Sequence, residues 1–215
     1  MLESFDQIRI INLPYRTDRR ADMLRELARI GMAEDPRVSF FEAIRPADKG
    51  DFYSIGARGV YLSHLQILRE AAGSSANVLI LEDDCQFTPT ALGNQSLPDH
   101  GSSWDVFYGG YEAADPDDLD NSDIVGAHMM GFTASTAGRV YEYLDNLAYE
   151  GAHPPIDGAY VWFRRAHRDI RTAFAVPPLA VQRSSRSDVG SLRIYDRIAL
   201  LRPVLDYARR MKRGR

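Results

Sequence analysis

Cysteine is almost missing from this 215-residue chain. Cys85 stands alone, so no internal disulfide is possible, and a reducing compartment is the simpler assumption. Placed just after an apolar run, it reads as a small buried hydrophobe rather than a nucleophile. No segment approaches the roughly 18 consecutive apolar residues of a membrane span, and Met1 to Gln7 lacks a basic region followed by an apolar core. The expectation is a protein neither exported by that route nor threaded through a bilayer. Basic charge is not in excess either. With 26 Lys and Arg against 30 Asp and Glu the formal net charge is -4, which argues against a general nucleic-acid binder. The sequence shows no internal repeats, and His100, His128, His153 and His167 have no tight pairing with one another. Length and a hydrophobic content of 45% point to one domain with one sizeable core.

What the chain does have is alternation. Ile8 to Leu13 reads as a first strand, followed by a helical pattern over Thr17 to Ile30, with Thr17 and Asp18 as caps, Gly31 as the stop, and Met23, Leu24, Leu27 and Ile30 as the buried stripe. Val38 to Ile44 is a second strand. Gly56 to Ala72 is a long helix with Val60, Leu62, Leu65 and Leu68 as its apolar positions, ended by Gly73-Ser74-Ser75. Strands are expected over Val78 to Leu81, Trp104 to Tyr108, Ala127 to Ala134 and Ile170 to Val176, and helices over Ser135 to Leu147 and Ile156 to Arg165. Asp115 to Asp123, with five aspartates, reads most simply as a solvated, mobile loop, with a lid as the alternative. Strand-helix alternation predicts an α/β domain with a largely parallel sheet.

The sharpest feature is Val78-Leu79-Ile80-Leu81 running straight into Glu82-Asp83-Asp84. The four apolar residues form a buried strand, and three unpaired carboxylates at its end cannot belong to a core. Ligands of open α/β sheets bind outside the carboxyl ends of strands. If the extended backbone persists, Glu82 and Asp84 project to one side and Asp83 to the other, a pair of oxygen donors suited to a hard cation such as Mg²⁺ or Mn²⁺. The competing reading is an acidic turn neutralised by an arginine or a helix N-terminus.

Further blocks follow the same order along the chain. They are Ile11-Asn12-Leu13 with Arg16, Asp18, Arg19 and Arg20; Gly59-Val60-Tyr61-Leu62-Ser63-His64; Leu79 to Asp84; Pro155-Ile156-Asp157; and Gln182 with Ser187-Asp188. In this the chain resembles glycosyltransferase family 25, which includes bacterial lipopolysaccharide galactosyltransferases and collagen galactosyltransferases; Val60 stands where that family often has cysteine. The resemblance implies a single GT-A type domain, a Rossmann-like mixed sheet flanked by helices. It also implies a uridine diphosphate (UDP) hexose donor, a Mn²⁺ or Mg²⁺ ion and inversion at the anomeric carbon.

Carried over residue by residue, the resemblance makes Asp84 the metal ligand, with Glu82 facing the ribose or the metal shell and Asp83 orienting the base or capping a turn. Asn12, Leu13 and Arg16 fall at the uracil and ribose, and Arg19 at the diphosphate, against a solvated first-turn pair of Arg19 and Arg20. Ser63 and His64 fall at the donor, against a satisfied core histidine. Gln182 falls in the metal or sugar shell, against a solvated loop. Asp157 is the candidate base that takes the acceptor proton, with an ordinary N-cap as the other reading.

The end of the chain is a basic handle. From Arg193 onward eight bases face two acids, a surplus of six that leaves the remainder at -10. Ile194, Ile198, Leu201, Leu205 and Ala208 recur at helical spacing, interrupted by Pro203. The division expected is a catalytic domain over 1–192 and a basic amphipathic tail over 193–215, either lying on anionic membrane or packed on the domain. The functional expectation is a cytoplasmic hexosyltransferase, moving galactose or glucose to a glycan or glycolipid acceptor in lipopolysaccharide biosynthesis, peripheral to the inner face of the membrane. Its rivals are a metal-dependent phosphohydrolase or nuclease, and a non-catalytic nucleotide-sugar binding module.

Overall fold

The alternating apolar residues of the first segment decide which faces of the sheet are covered. In the computed structural model, which describes residues 2–92 and 104–183, β1 (Gln7–Asn12) turns Ile8 and Ile10 toward α1 (Thr17–Arg29) and Ile11 toward the opposite face. The next elements are β2 (Val38–Glu42), α2 (Ile55–Ser74), β3 (Val78–Glu82), β4 (Cys85–Phe87) and the single turn α3 (Pro89–Leu92). They are followed by β5 (Val106–Ala113), β6 (Ile124–Phe132), α4 (Ala134–Asp145), α5 (Ile156–Ala166), β7 (Thr172–Phe174) and β8 (Ala180–Gln182).

The eight strands form one sheet in the order β2-β1-β3-β6-β5-β8-β4, with β7 pairing β5 at its other end. Residues of β3 split by parity. Leu79 and Leu81 pack with Met23 and Leu27 of α1, while Val78 and Ile80 pack with Leu68, Val140 and Tyr160 on the face covered by α2, α4 and α5. Each such fully buried aliphatic side chain contributes ~1.5–3 kcal/mol relative to exposure, so the two faces together hold the sheet.

The sheet is mixed rather than largely parallel. β2, β1 and β3 run parallel, whereas β6 is antiparallel to both β3 and β5. The cause is the connection between β5 and β6, an acidic loop with no helix in it: without a crossover helix the next strand returns as a hairpin partner. β4 and β8, three residues each, pair antiparallel.

Three local expectations change. α1 starts after Arg16 without a side-chain cap, and Leu24 is 43% exposed; the buried position is taken by Glu26, whose Oε2 accepts from the Phe87 amide at 3.0 Å. α2 is capped by Ser54, which accepts from the Ala57 amide, and buries Gly59, Tyr61, Ser63, His64, Ile67 and Leu68, leaving Val60, Leu62 and Leu65 half-buried. Gly59 explains the rotation: a Cβ there would stand 2.5 Å from the Ile44 carbonyl, so the helix presses its polar-looking face onto the chain leaving β2. The loop from Asp115 to Asp123 is largely exposed, as expected, but it is tethered to α5. Arg164 donates to the Leu119 and Ser122 carbonyls, and Arg165 pairs with Asp123 at 2.8 Å.

Candidate functional site

β3 ends at Glu82, and Asp83 and Asp84 form the turn into β4, so the extended geometry does not persist through the motif. Asp83 accepts from the Asn12 side-chain amide at 2.8 Å and pairs with Arg19 at 2.6 Å. Asp84 lies 3.7 Å from the same Arg19 nitrogen and accepts from the Gln182 amide at 3.1 Å. Both aspartates are buried, at 7% and 6% exposure, which is what makes their charges chemically active. Burial pushes the Asp83 carboxyl above the ordinary carboxylate range, opposed by Arg19 and Asn12. Burial also pushes Asp84 up, the nearby Glu82 adds to it, and Arg19, Gln182 and His128 oppose.

The arrangement combines the two readings of the motif. Arg19 partly neutralises the turn, yet Asp84 Oδ1 is buried with no hydrogen-bond partner among the described residues. A buried carboxylate oxygen left without a partner costs on the order of 1–3 kcal/mol or more. A divalent cation there would remove that cost. Mg²⁺ and Mn²⁺ sites on one or two carboxylates completed by phosphate oxygens and water have this chemistry, so the residues fit such an ion. Among the described residues no group of three or more His, Cys, Asp or Glu is placed to hold a metal by protein atoms alone.

The other expected residues sort themselves by what they touch. Asn12 is buried, and its side-chain amide donates to Asp83 and to the Arg16 carbonyl. The Leu13 carbonyl closes the turn after β1 by accepting from the Arg16 amide, and the Arg16 guanidinium grips Asp18 at 2.9 and 2.8 Å. Arg19 is a buried counter-ion rather than a solvated first-turn residue. Ser63 is sealed: its hydroxyl donates to the Gly59 carbonyl and accepts from the Ile44 amide, so it fixes α2 and does not face a donor. Gln182, in β8, bonds Asp84 through its amide nitrogen and so acts on that carboxylate. Ser187, Asp188 and the whole segment from residue 193 lie outside the described residues.

His64 is fully buried, and burial pushes its pKa down to about 3, so the ring is neutral near pH 7. Its Nδ1 meets the Tyr160 hydroxyl at 2.9 Å. Burial holds that phenol far above its usual range, so it stays protonated and donates to Nδ1. The ring hydrogen is then on Nε2, 3.7 Å from Glu82 Oε1, where a donor rather than a lone pair faces the carboxylate. His64 is therefore both a core histidine and a neighbour of the acidic motif.

Asp157 lies one residue inside α5. The N-cap is Pro155, so the capping role does not fall to the aspartate. Its Oδ2 accepts from the Gly126 amide and its Oδ1 from the Gly158 amide, each at 2.9 Å. Gly126 has φ +91°, a conformation that suits glycine, so the carboxylate tethers α5 to an irregular point in β6. Cys85 is fully buried, as expected of a packing residue.

Sequence reasoning passed over Tyr160 and His128. Tyr160 looks like an ordinary helix aromatic. His128 sits in β6 between apolar residues, and its only signal is Gly126 two positions earlier.

No protein-family model matches the chain, and no curated protein matches it. Among solved structures, the chain is similar to a glycosyltransferase involved in the glycosylation of the major capsid of PBCV-1. The TM-score is 0.50 at 13% identity, covering 83% of this chain and 94% of that one. It is also similar, at TM-score 0.44 and 12% identity, to 4-diphosphocytidyl-2C-methyl-D-erythritol synthase from Anaerococcus prevotii DSM 20548, covering 92% and 78%. The first likeness shows the fold: a mixed α/β domain of the GT-A type, with a curled sheet flanked by helices. No helix among the described residues is long and apolar enough to cross a membrane.

Proposed function

We propose that the chain is a metal-dependent inverting glycosyltransferase resembling family 25. It would move a hexose, galactose or glucose, from UDP to a saccharide or lipopolysaccharide-type acceptor. One observation carries the reading: Asp84 Oδ1, buried without a partner among the described residues, at the carboxyl end of the central strand of a GT-A type fold. The similar PBCV-1 protein is a glycosyltransferase, which supports a transferase role.

In this reading Asp84 holds Mn²⁺ or Mg²⁺, with Glu82 beside it. The cation would neutralise the charge that develops on the diphosphate leaving group. Arg19 and Gln182 set the rotamer and charge of Asp84, and Asn12 fixes Asp83, so the acids need little reorganisation when the donor arrives. Asp157 is the base. Each of its oxygens accepts one backbone hydrogen bond and keeps a further lone pair, to which an acceptor hydroxyl would pass its proton as its oxygen attacks the anomeric carbon from the face opposite the leaving group. The catalytic domain is assigned to residues 1–192 and the basic segment 193–215 to the inner face of the cell membrane.

Thermal shifts with UDP, UDP-galactose and UDP-glucose, each with and without Mn²⁺, test the reading. A donor at 100 times its dissociation constant adds about 2.7 kcal/mol of stability, and the shift should need the metal. Asp84→Asn should abolish the metal-dependent part and transfer activity while leaving the metal-free protein folded. A donor shift indifferent to chelator and to Asp84→Asn would remove the cation from the reading.

A further inference from the structure

Asp84 Oδ1 is not alone among the described residues as a buried polar atom without a hydrogen-bond partner. A second such atom belongs to His128, which is 3% exposed. Its Nε2 lies 3.1 Å from the Ala180 carbonyl, and a carbonyl oxygen only accepts, so Nε2 carries a hydrogen and, in the neutral ring, Nδ1 carries the lone pair. Nδ1 has no hydrogen-bond partner among the described residues.

Two strand relationships bring His128 toward the acidic turn, and glycines make room for its ring. Leu81 of β3 is in register with Met129 of β6, so the following residue Glu82 and the preceding residue His128 come opposite each other where the acidic turn begins. Asp84 is bonded to Gln182 and His128 to Ala180, two residues apart on β8, a span of about 6.6 Å along a strand. Space for the ring is made by glycines. A Cβ on Gly110 would overlap the imidazole, and one on Gly126 would stand 3.0 Å from Nδ1 itself.

We infer that His128 is the nitrogen ligand of the cation held by Asp84, through Nδ1, and that it biases the site toward Mn²⁺ over Mg²⁺. This deepens the proposed function and rests on its cation. A metal-binding histidine typically donates its second ring N–H to a carbonyl or carboxylate, which fixes tautomer and orientation; the Ala180 contact does this here. One carboxylate oxygen and one imidazole nitrogen would leave the remaining positions to diphosphate oxygens and water. Mg²⁺ favours an all-oxygen octahedron, whereas Mn²⁺ accepts an imidazole more readily.

The test uses the full chain with Mn²⁺ and UDP and reads the bound metal rather than turnover. Pulsed electron paramagnetic resonance of bound Mn²⁺ should show modulation from a directly bound nitrogen. Labelling the histidines of the parent protein with ¹⁵N should change that modulation, a measurement that needs no variant. In His128→Gln the amide reaches the place of Nε2 and can keep the Ala180 contact while no ligand remains at the place of Nδ1. This variant should lose the modulation, bind Mn²⁺ ten- to a hundredfold more weakly and change little toward Mg²⁺. His64→Gln should keep the modulation. Bound Mn²⁺ without histidine-nitrogen modulation, lost with Asp84→Asn, would overturn the role of His128 and leave the cation at Asp84. Modulation that survives in folded His128→Gln would likewise overturn it. Absence of Mn²⁺ binding in the parent would overturn this inference together with the cation.

Discussion

Arg19 and Asp83 form an ion pair at 2.6 Å that joins the first turn of α1 to the turn after β3. It is nearly dry, with side-chain exposures of 11% and 9%, so removing one partner leaves an uncompensated buried charge rather than a solvated one.

Arg19→Met should therefore destabilise the protein by about 3–5 kcal/mol, because Asp83 and Asp84 lose their shared cation. Urea denaturation measures it. The double change Arg19→Met, Asp83→Leu should recover most of the loss, since a buried pair replaced as a unit is close to neutral. If the single variant is as stable as the parent, the turn is neutralised by something other than Arg19.

Asp157→Asn separates chemistry from tethering. Asparagine keeps one acceptor, but its NH₂ must face one of the Gly126 and Gly158 amides, so a loss of ~1–2 kcal/mol and a melting temperature lower by a few degrees are expected. Turnover should fall at least a hundredfold, the scale of general-base assistance. A variant with the melting loss and near-parental turnover would leave Asp157 a tether alone.

His64 makes a prediction about pH. Its folded pKa, about 3, lies below the ordinary 6.5, so the unfolded chain takes up a proton that the folded one refuses. Its contribution to stability is complete above pH 6.5 and is lost as pH falls from 6.5 toward 3, at up to about 1.4 kcal/mol per unit. His64→Gln should lose stability less steeply than the parent between pH 6.5 and 4. Equal slopes would mean that the ring protonates in the fold by pairing with Glu82.

Arg164 governs the acidic loop. It donates to the Leu119 and Ser122 carbonyls while its guanidinium lies over the Tyr108 and Phe174 rings, so Arg164→Met should free the loop without unstacking the core. Hydrogen exchange of amides in residues 115–123 should accelerate at least tenfold while those of β6 stay protected. Unchanged exchange would mean that the Arg165–Asp123 pair alone holds the loop.

Sequence reasoning reaches the elements whose signal is local. β1, α1, β3 and α5 come out within about two residues because their apolar spacing is set by their own periodicity. β4 and β8 have three residues each and no period; they exist because they pair with each other, far apart in the chain. The buried face of α2 is hidden for a related reason. Ser63 and His64 look polar, and only the approach to Ile44 and the Tyr160 hydroxyl turns them inward. At the site, the acids are legible as a run, but their division of labour is not. Asp83 belongs to Asn12 and Arg19, Asp84 belongs to Gln182, and the donor to Asp157 is a backbone amide of β6.

The Asp84–Gln182 bond spans 98 positions and reaches from the acidic turn to β8, the last described strand. During synthesis the acids, Arg19 and Asn12 are all available once β3 and β4 have emerged, yet β4 waits for a partner made nearly a hundred residues later. A growing chain can assemble β1, α1 and β3 early. It cannot set the rotamer of Asp84 until β8 is made, so the acidic turn is completed only when the domain is nearly whole.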